Sequence, residues 1–134
     1  MDGTGLVTVA SRWSVSETLD RLQAAAIDAG MVVFARIDHG GGAADVGLAL
    51  RPTELLIFGN PRGGTALMQD QQTSGIDLPL KALAWQAADD AVWLTYNDTT
   101  WIAERHRLGS GSEKAVHAVA TGLAQLVERS VGPA

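Results

Sequence analysis

The sequence predicts an α+β domain in which a mixed or antiparallel sheet of about five strands is backed by helices. Three observations predict it. A capping box opens an amphipathic helix over about residues 15–29, and an apolar strand follows at once. The run Glu54-Leu55-Leu56-Ile57-Phe58-Gly59 is too continuously apolar for a one-sided strand, so it belongs in the middle of a sheet. Finally, Leu80–Ala87 and Ala91–Asn97 alternate on both sides of a turn holding Asp89 and Asp90, which is a hairpin pattern. Three strand–helix units would also suit a parallel α/β sheet, but the late hairpin and the unequal connections favour α+β.

Taken in order, Leu6–Ser11 is rich in β-branched residues and forms a first strand. Ser14-Val15-Ser16-Glu17 is the S-x-x-E box. Val15, Leu19, Leu22 and Ala26 then recur at helical spacing, and Gly30 stands where a left-handed residue ends the helix. Met31–Asp38 is a strand with an apolar odd face and with Arg36 and Asp38 on the even face. A short helix near 43–49 follows, weakened by Gly40-Gly41-Gly42, since glycine costs about 1 kcal/mol relative to alanine inside a helix. After the central strand a helix over about 61–72 carries Leu67 and Met68 inward, with Pro61 tolerated in its first turn. The stretch Thr73–Pro79 is irregular, and residues 99–108 form another short helix. Gly109–Ser112 is a Gly/Ser hinge; Ser110 and Glu113 offer a second capping box for a last helix over about 113–130, which stops at Gly132-Pro133.

The chain of 134 residues suits a single domain, 1–134, without internal repeats. Its formal net charge of −5, from 15 acidic and 10 scattered basic residues, provides no stripe to neutralise phosphates, so nucleic acid is not an expected partner. Cysteine is absent, which excludes thiol nucleophiles and Cys-ligated metal. The N-terminus lacks a signal peptide's basic and apolar regions and no run approaches the length of a membrane helix; a cytoplasmic protein without a membrane partner is the expectation. No motif implies a cofactor, and no H-x-x-x-H or H-E-x-x-H spacing implies a metal site.

The segments ARIDHGGGAADVGLALRPTELLIFGNPRGGTALMQ and IDLPLKALAWQAADDAVWLTYND together resemble the domain of unknown function 302 family (DUF302) over roughly residues 14–108. The resemblance places the family signature on Asp38, His39, Glu54, Gly59, Asn60, Pro61, Leu78, Pro79, Tyr96 and Asn97. It implies a small prokaryotic α+β domain grouped with TATA-binding-protein-like folds, often a homodimer, and it implies no activity. The chain departs from the family at Gly40-Gly41-Gly42, where relatives tend to carry alanine.

Polar residues gather at the ends of apolar strands, which points to a pocket where Asp38-His39, Gly59-Asn60 and Tyr96-Asn97 converge. There Arg62 and the amides of Gly63 and Gly64, at a helix start, would meet a small anionic or polar metabolite, while His39 and Asn60 would orient it. The turn is neither a P-loop nor G-x-G-x-x-G, and Asn60 capping the helix, with the glycines allowing close packing, accounts for the same residues. Such a site requires His39 and Asn60 within about 10 Å of each other. Two alternatives stand beside it: an enzyme with His39 as general acid/base, and a structural interaction module. Trp85, Trp93 and Trp101 mark either packing under the last helix or a dimer interface.

Overall fold

The computed structural model describes residues 3–133; Met1 and Asp2, part of the N-terminus read as leaderless, and Ala134 lie outside them. The elements run β1 (Leu6–Ser11), α1 (Val15–Asp28), β2 (Val32–Asp38), α2 (His39–Asp45), β3 (Thr53–Gly59), α3 (Pro61–Asp70), a 3-10 turn (Gln72–Asp77), β4 (Leu80–Gln86), β5 (Val92–Asn97), α4 (Thr99–Arg105) and α5 (Glu113–Val131). The strands form one sheet in the order β1-β5-β4-β3-β2, and every neighbouring pair is antiparallel. The fold is α+β, as the patterning implied.

Period-2 alternation decides which side chains meet the helices. Leu56, Phe58, Ala82, Ala84 and Leu94 share one face and are fully buried against Leu19, Leu22 and Ala26 of α1 and Leu123, Leu126 and Val127 of α5. Each such leucine or phenylalanine contributes about 1.5–3 kcal/mol relative to exposure. The opposite face carries Leu55, Ile57, Leu83, Trp85 and Trp93, with no helix laid over them among the described residues. The end of α5 is fastened to the start of α1: Trp13 Nε1 donates to Gly132 O at 2.8 Å, Arg21 Nε donates to Ser130 O at 3.1 Å, and the Arg21 guanidinium lies 4.4 Å over the Trp13 ring.

Four details differ from the sequence reading. The pairing of β2 with β3 skips between Val33 and Ala35, a bulge that adds Phe34 and exchanges faces for the rest of the strand. Arg36 therefore reaches α1, bonding Asp20 at 2.6 Å and the Ser16 carbonyl, while Ile37 turns outward. The short helix begins at His39, not near 43, because the Asp38 carboxylate accepts from Gly41 N at 2.9 Å and caps it; Gly47, at φ +76, follows its end. The helices placed at 61–72 and 99–108 stop at Asp70 and Arg105. The second capping box is not formed: Ser112 is the N-cap of α5, and its hydroxyl binds Asp70 instead of a first-turn amide.

Gly5 closes β1 against β5, its carbonyl accepting from Asp98 N at 2.8 Å, and its φ is +77. A Cβ there would overlap the Trp101 ring. Gly5→Ala should therefore cost about 2–4 kcal/mol, through positive-φ strain plus overpacking. Gly42, with open space around an added Cβ, should gain about 0.5–1 kcal/mol on replacement by alanine. Urea midpoints of the two variants measured together check both signs.

Candidate functional site

At the end of β3 the chain turns through Asn60 into α3. Asn60 is the N-cap, its Oδ1 accepting from Arg62 N at 3.0 Å, and Pro61 occupies the first helical position, where its missing N–H is harmless. Gly64 N bonds Asn60 O at 3.1 Å. Of the amides in this first turn, only that of Gly63 is left for a ligand.

Beside this turn lies a cavity of about 490 Å³ between α3 and α5. The α5 wall presents Ala115, Ala118, Val119 and Gly122, spaced three and four apart and hence on one face of the helix. Gly64, Leu67 and Met68 of α3 form the opposite wall, and Leu78 and Pro79, joined by a cis bond, close one side with Met31 and Phe34. The helices stand close because Gly63 has no side chain: a Cβ there would come within 3.0 Å of Val119 Cγ2. An added Cβ at Gly122 meets nothing within 4 Å, so that glycine leaves space open. Among the described residues no ionisable side chain lines the cavity.

The expected site residues divide into separate groups. Asn60, Gly63 and Gly64 line the cavity, whereas Arg62 is exposed beside it and is not part of the wall. Asp38 and His39 do not join them. Val32 pairs with Gly59 and Asp38 with Glu54, so antiparallel β2 carries His39 to the far end of β3. At about 3.3 Å per residue the separation is roughly 17 Å, which rules out one small ligand spanning both. Asp38 is engaged as a cap, and His39 is exposed without a side-chain hydrogen bond among the described residues, so nothing orients it as a base. Tyr96 lies at the same end of the sheet as Asn60, on the helix-covered face against the core. It does not line the cavity; burial, then the Asp98 charge, pushes its phenol above the ordinary value.

Sequence reasoning missed two clasps around this cavity. His106 Nε2 stands 2.6 Å from Asp77 Oδ2, to which it donates, and its Nδ1 stands within hydrogen-bond distance of Thr73 Oγ1, at 3.1 Å. Arg105 adds a bond of 3.0 Å to Asp77. The 3-10 turn is thereby pinned to α4, and its Gly75 forms part of the cavity wall. Twenty-nine residues separate the histidine from its carboxylate, and no local motif links them. The second clasp is Asp70, which accepts from Gly109 N at 2.8 Å and Ser112 Oγ at 2.7 Å. It ties the end of one wall helix to the start of the other across the Gly/Ser segment. Among the described residues no three His, Asp or Glu side chains gather to hold a metal ion.

The family model described as Domain of unknown function DUF302 matches residues 7–129, so α5 falls almost wholly inside the family region, beyond the 14–108 expected from the motifs. A crystal structure of an uncharacterized conserved DUF302 protein from Bacillus stearothermophilus has a TM-score of 0.83 at 18% identity, covering 95% of this chain and 98% of that one, which shows a shared fold. Two curated relatives are the Fluoride-specific ion channel FluC 1 of Brucella suis biovar 1 and that of Brucella abortus biovar 1. Each is 54% identical over 129 residues, 96% of this chain but 51% and 48% of theirs. The chain thus spans about half the length of the curated relatives it matches. No helix among the described residues is long and apolar enough to cross a membrane.

The Ser112 hydroxyl and the Gly109 amide hold the Asp70 carboxyl below the usual carboxylate range. Because the folded value lies below the unfolded one, this clasp contributes fully above the unfolded pKa and is lost as pH falls through the folded one. From about pH 4 downward, wild type should lose more thermal stability than Asp70→Asn, whose curve starts lower at neutral pH and converges in acid. Melting temperatures of both proteins between about pH 2 and 7 test this; parallel curves would refute it.

Proposed function

We propose that this chain, which belongs to the DUF302 family, is a small-molecule-binding domain whose ligand occupies the α3–α5 cavity. One observation carries the reading: a space of about 490 Å³, within the size range of ligand sites, kept open by glycine and alanine where two helices face each other. An uncharged, mainly apolar wall fits a ligand with an apolar body, in place of the small polar anion that the Gly-rich turn suggests by itself. In the channel relatives the matching region makes up about half of the polypeptide, and we assign this domain a ligand-responsive role beside conduction.

A second element of the proposal is self-association through the uncovered sheet face. Trp85 and Trp93 sit 6.5 Å apart between ring centroids on that face, beside Leu55, Ile57 and Leu83. An apolar patch carrying two tryptophans at its hairpin end suits a protein interface.

Gly122→Phe would project a ring into the empty side of the cavity without meeting a neighbour at its Cβ. It should leave the melting temperature within a few degrees of wild type and weaken binding of the apolar dye Nile red at least about tenfold. Undiminished binding would remove the cavity from consideration. For the sheet face, Trp93→Glu should convert a dimer to a monomer in light scattering, because a carboxylate cannot be left unpaired in an apolar interface. A wild-type monomer would end this part of the proposal.

A further inference from the structure

We propose that Thr73 is a nucleophile for activated acyl groups, carried by an ester or a thioester, with His106 as its base and Asp77 holding the base in place. The proposal is independent of the cavity reading above. The chain has no thiol, and a hydroxyl becomes an effective nucleophile only where a base can take its proton. Thr73 Oγ1 stands 3.1 Å from His106 Nδ1, and His106 Nε2 stands 2.6 Å from Asp77 Oδ2. Hydroxyl, imidazole and orienting carboxylate thus form one continuous chain of contacts, the arrangement that activates a nucleophile for acyl transfer.

Burial separates the roles. The side chains of His106 and Asp77 are only 7% and 12% exposed, whereas Thr73 is open to solvent, where an acyl donor can reach it. The carboxylate fixes a ring proton on Nε2, so in the neutral imidazole the Nδ1 lone pair faces the hydroxyl. Among the described residues the charged groups at the ring are Asp77 of the 3-10 turn, which touches it, and Arg105 of α4, which bonds Asp77 at 3.0 Å. His39 and His117 are exposed and bond no side chain among the described residues, so neither is held in this way. The neighbouring Ser74 is fully buried, out of reach of an acyl donor. In the step itself Thr73 Oγ1 bonds the acyl carbon and the carbon–oxygen or carbon–sulfur bond to the leaving group breaks. The hydroxyl proton passes by way of His106 Nδ1 to the departing alkoxide or thiolate.

Incubation of the full chain with p-nitrophenyl acetate tests this. The protein should release p-nitrophenolate in a stoichiometric burst and gain a single acetyl group, which peptide mapping should place on Thr73. Thr73→Ser should keep the labelling and Thr73→Val should remove it. His106→Gln retains a donor for Asp77 but has no base, so acetylation of Thr73 should slow by about 10²–10⁴-fold while circular dichroism shows the fold retained. The wild-type rate should rise with pH to a plateau as the imidazolium loses its proton. Asp77→Asn removes the anion that favours the imidazolium, so its rise should move to lower pH, a change that a merely structural bond would not produce. Acetyl groups found only on lysine or the amino terminus would overturn the proposal. So would Thr73→Val or a folded His106→Gln labelled as fast as wild type. Should His106→Gln lose its fold, the two Thr73 variants and the pH profile decide the matter, and an unmoved profile in Asp77→Asn would overturn the role of Asp77.

Discussion

Both long helices bury their apolar stripes on the same face of a single antiparallel sheet, and the rest of the molecule follows from that one-sided arrangement. The interior is one layer of side chains, from Leu19 and Leu22 above to Leu56, Phe58 and Leu94 below. Nothing comparable covers the other face, where Trp85 shares its indole N–H with Thr95 at 2.9 Å and Thr95 meets Thr8 at the same distance. An antiparallel sheet tolerates a solvated side, but that side is ordinarily polar, and here it is largely hydrocarbon and indole.

The cavity is a second consequence. Helix α5 sends Leu123, Leu126 and Val127 into the core while also meeting α3. Its leucine and valine face is spent on the core. The stripe turned toward α3 is made of Ala115, Ala118 and Gly122, which cannot fill the space between the two helices. The helices come closest where Gly63 faces Val119, with no room there for a side chain on the glycine. Polar clasps at the margins hold the gap: Asp70 joins the two wall helices, and the Asp77–His106–Thr73 chain fixes the turn that closes the side. Close packing elsewhere in a protein interior leaves few voids, so a gap held open by this many separate contacts has been built into the fold.

Two of the residues expected in the site, Asp38 and Asn60, are used as helix caps, as is Asp98, which the sequence reading did not single out. Asp38, Asn60 and Asp98 each stand last before a helix, and each accepts an amide two or three residues on. A strand that leads straight into a helix must satisfy the first free amides within a residue or two, and a short side-chain acceptor does so. Asn60 differs from the two aspartates in having donors left over once the cap is made.

Local patterning was enough to determine the elements. The capping serine at Ser14, the left-handed Gly30, the strand Leu6–Ser11 and the hairpin are set by interactions spanning a few residues, which a linear reading can follow. The strand–helix turn at Asn60 was legible for the same reason, and with it Gly63 and Gly64 as part of a site. The relation between segments was not legible. Whether β2 runs with or against β3 decides if His39 stands near Asn60 or at the other end of the sheet, and no local residue records that choice. The bulge at Phe34, the bond between Asp77 and His106 and the gap between α3 and α5 likewise come from surfaces far apart in the chain. Secondary structure is written in neighbouring residues, whereas register, long-range pairing and empty space exist only once the chain has packed.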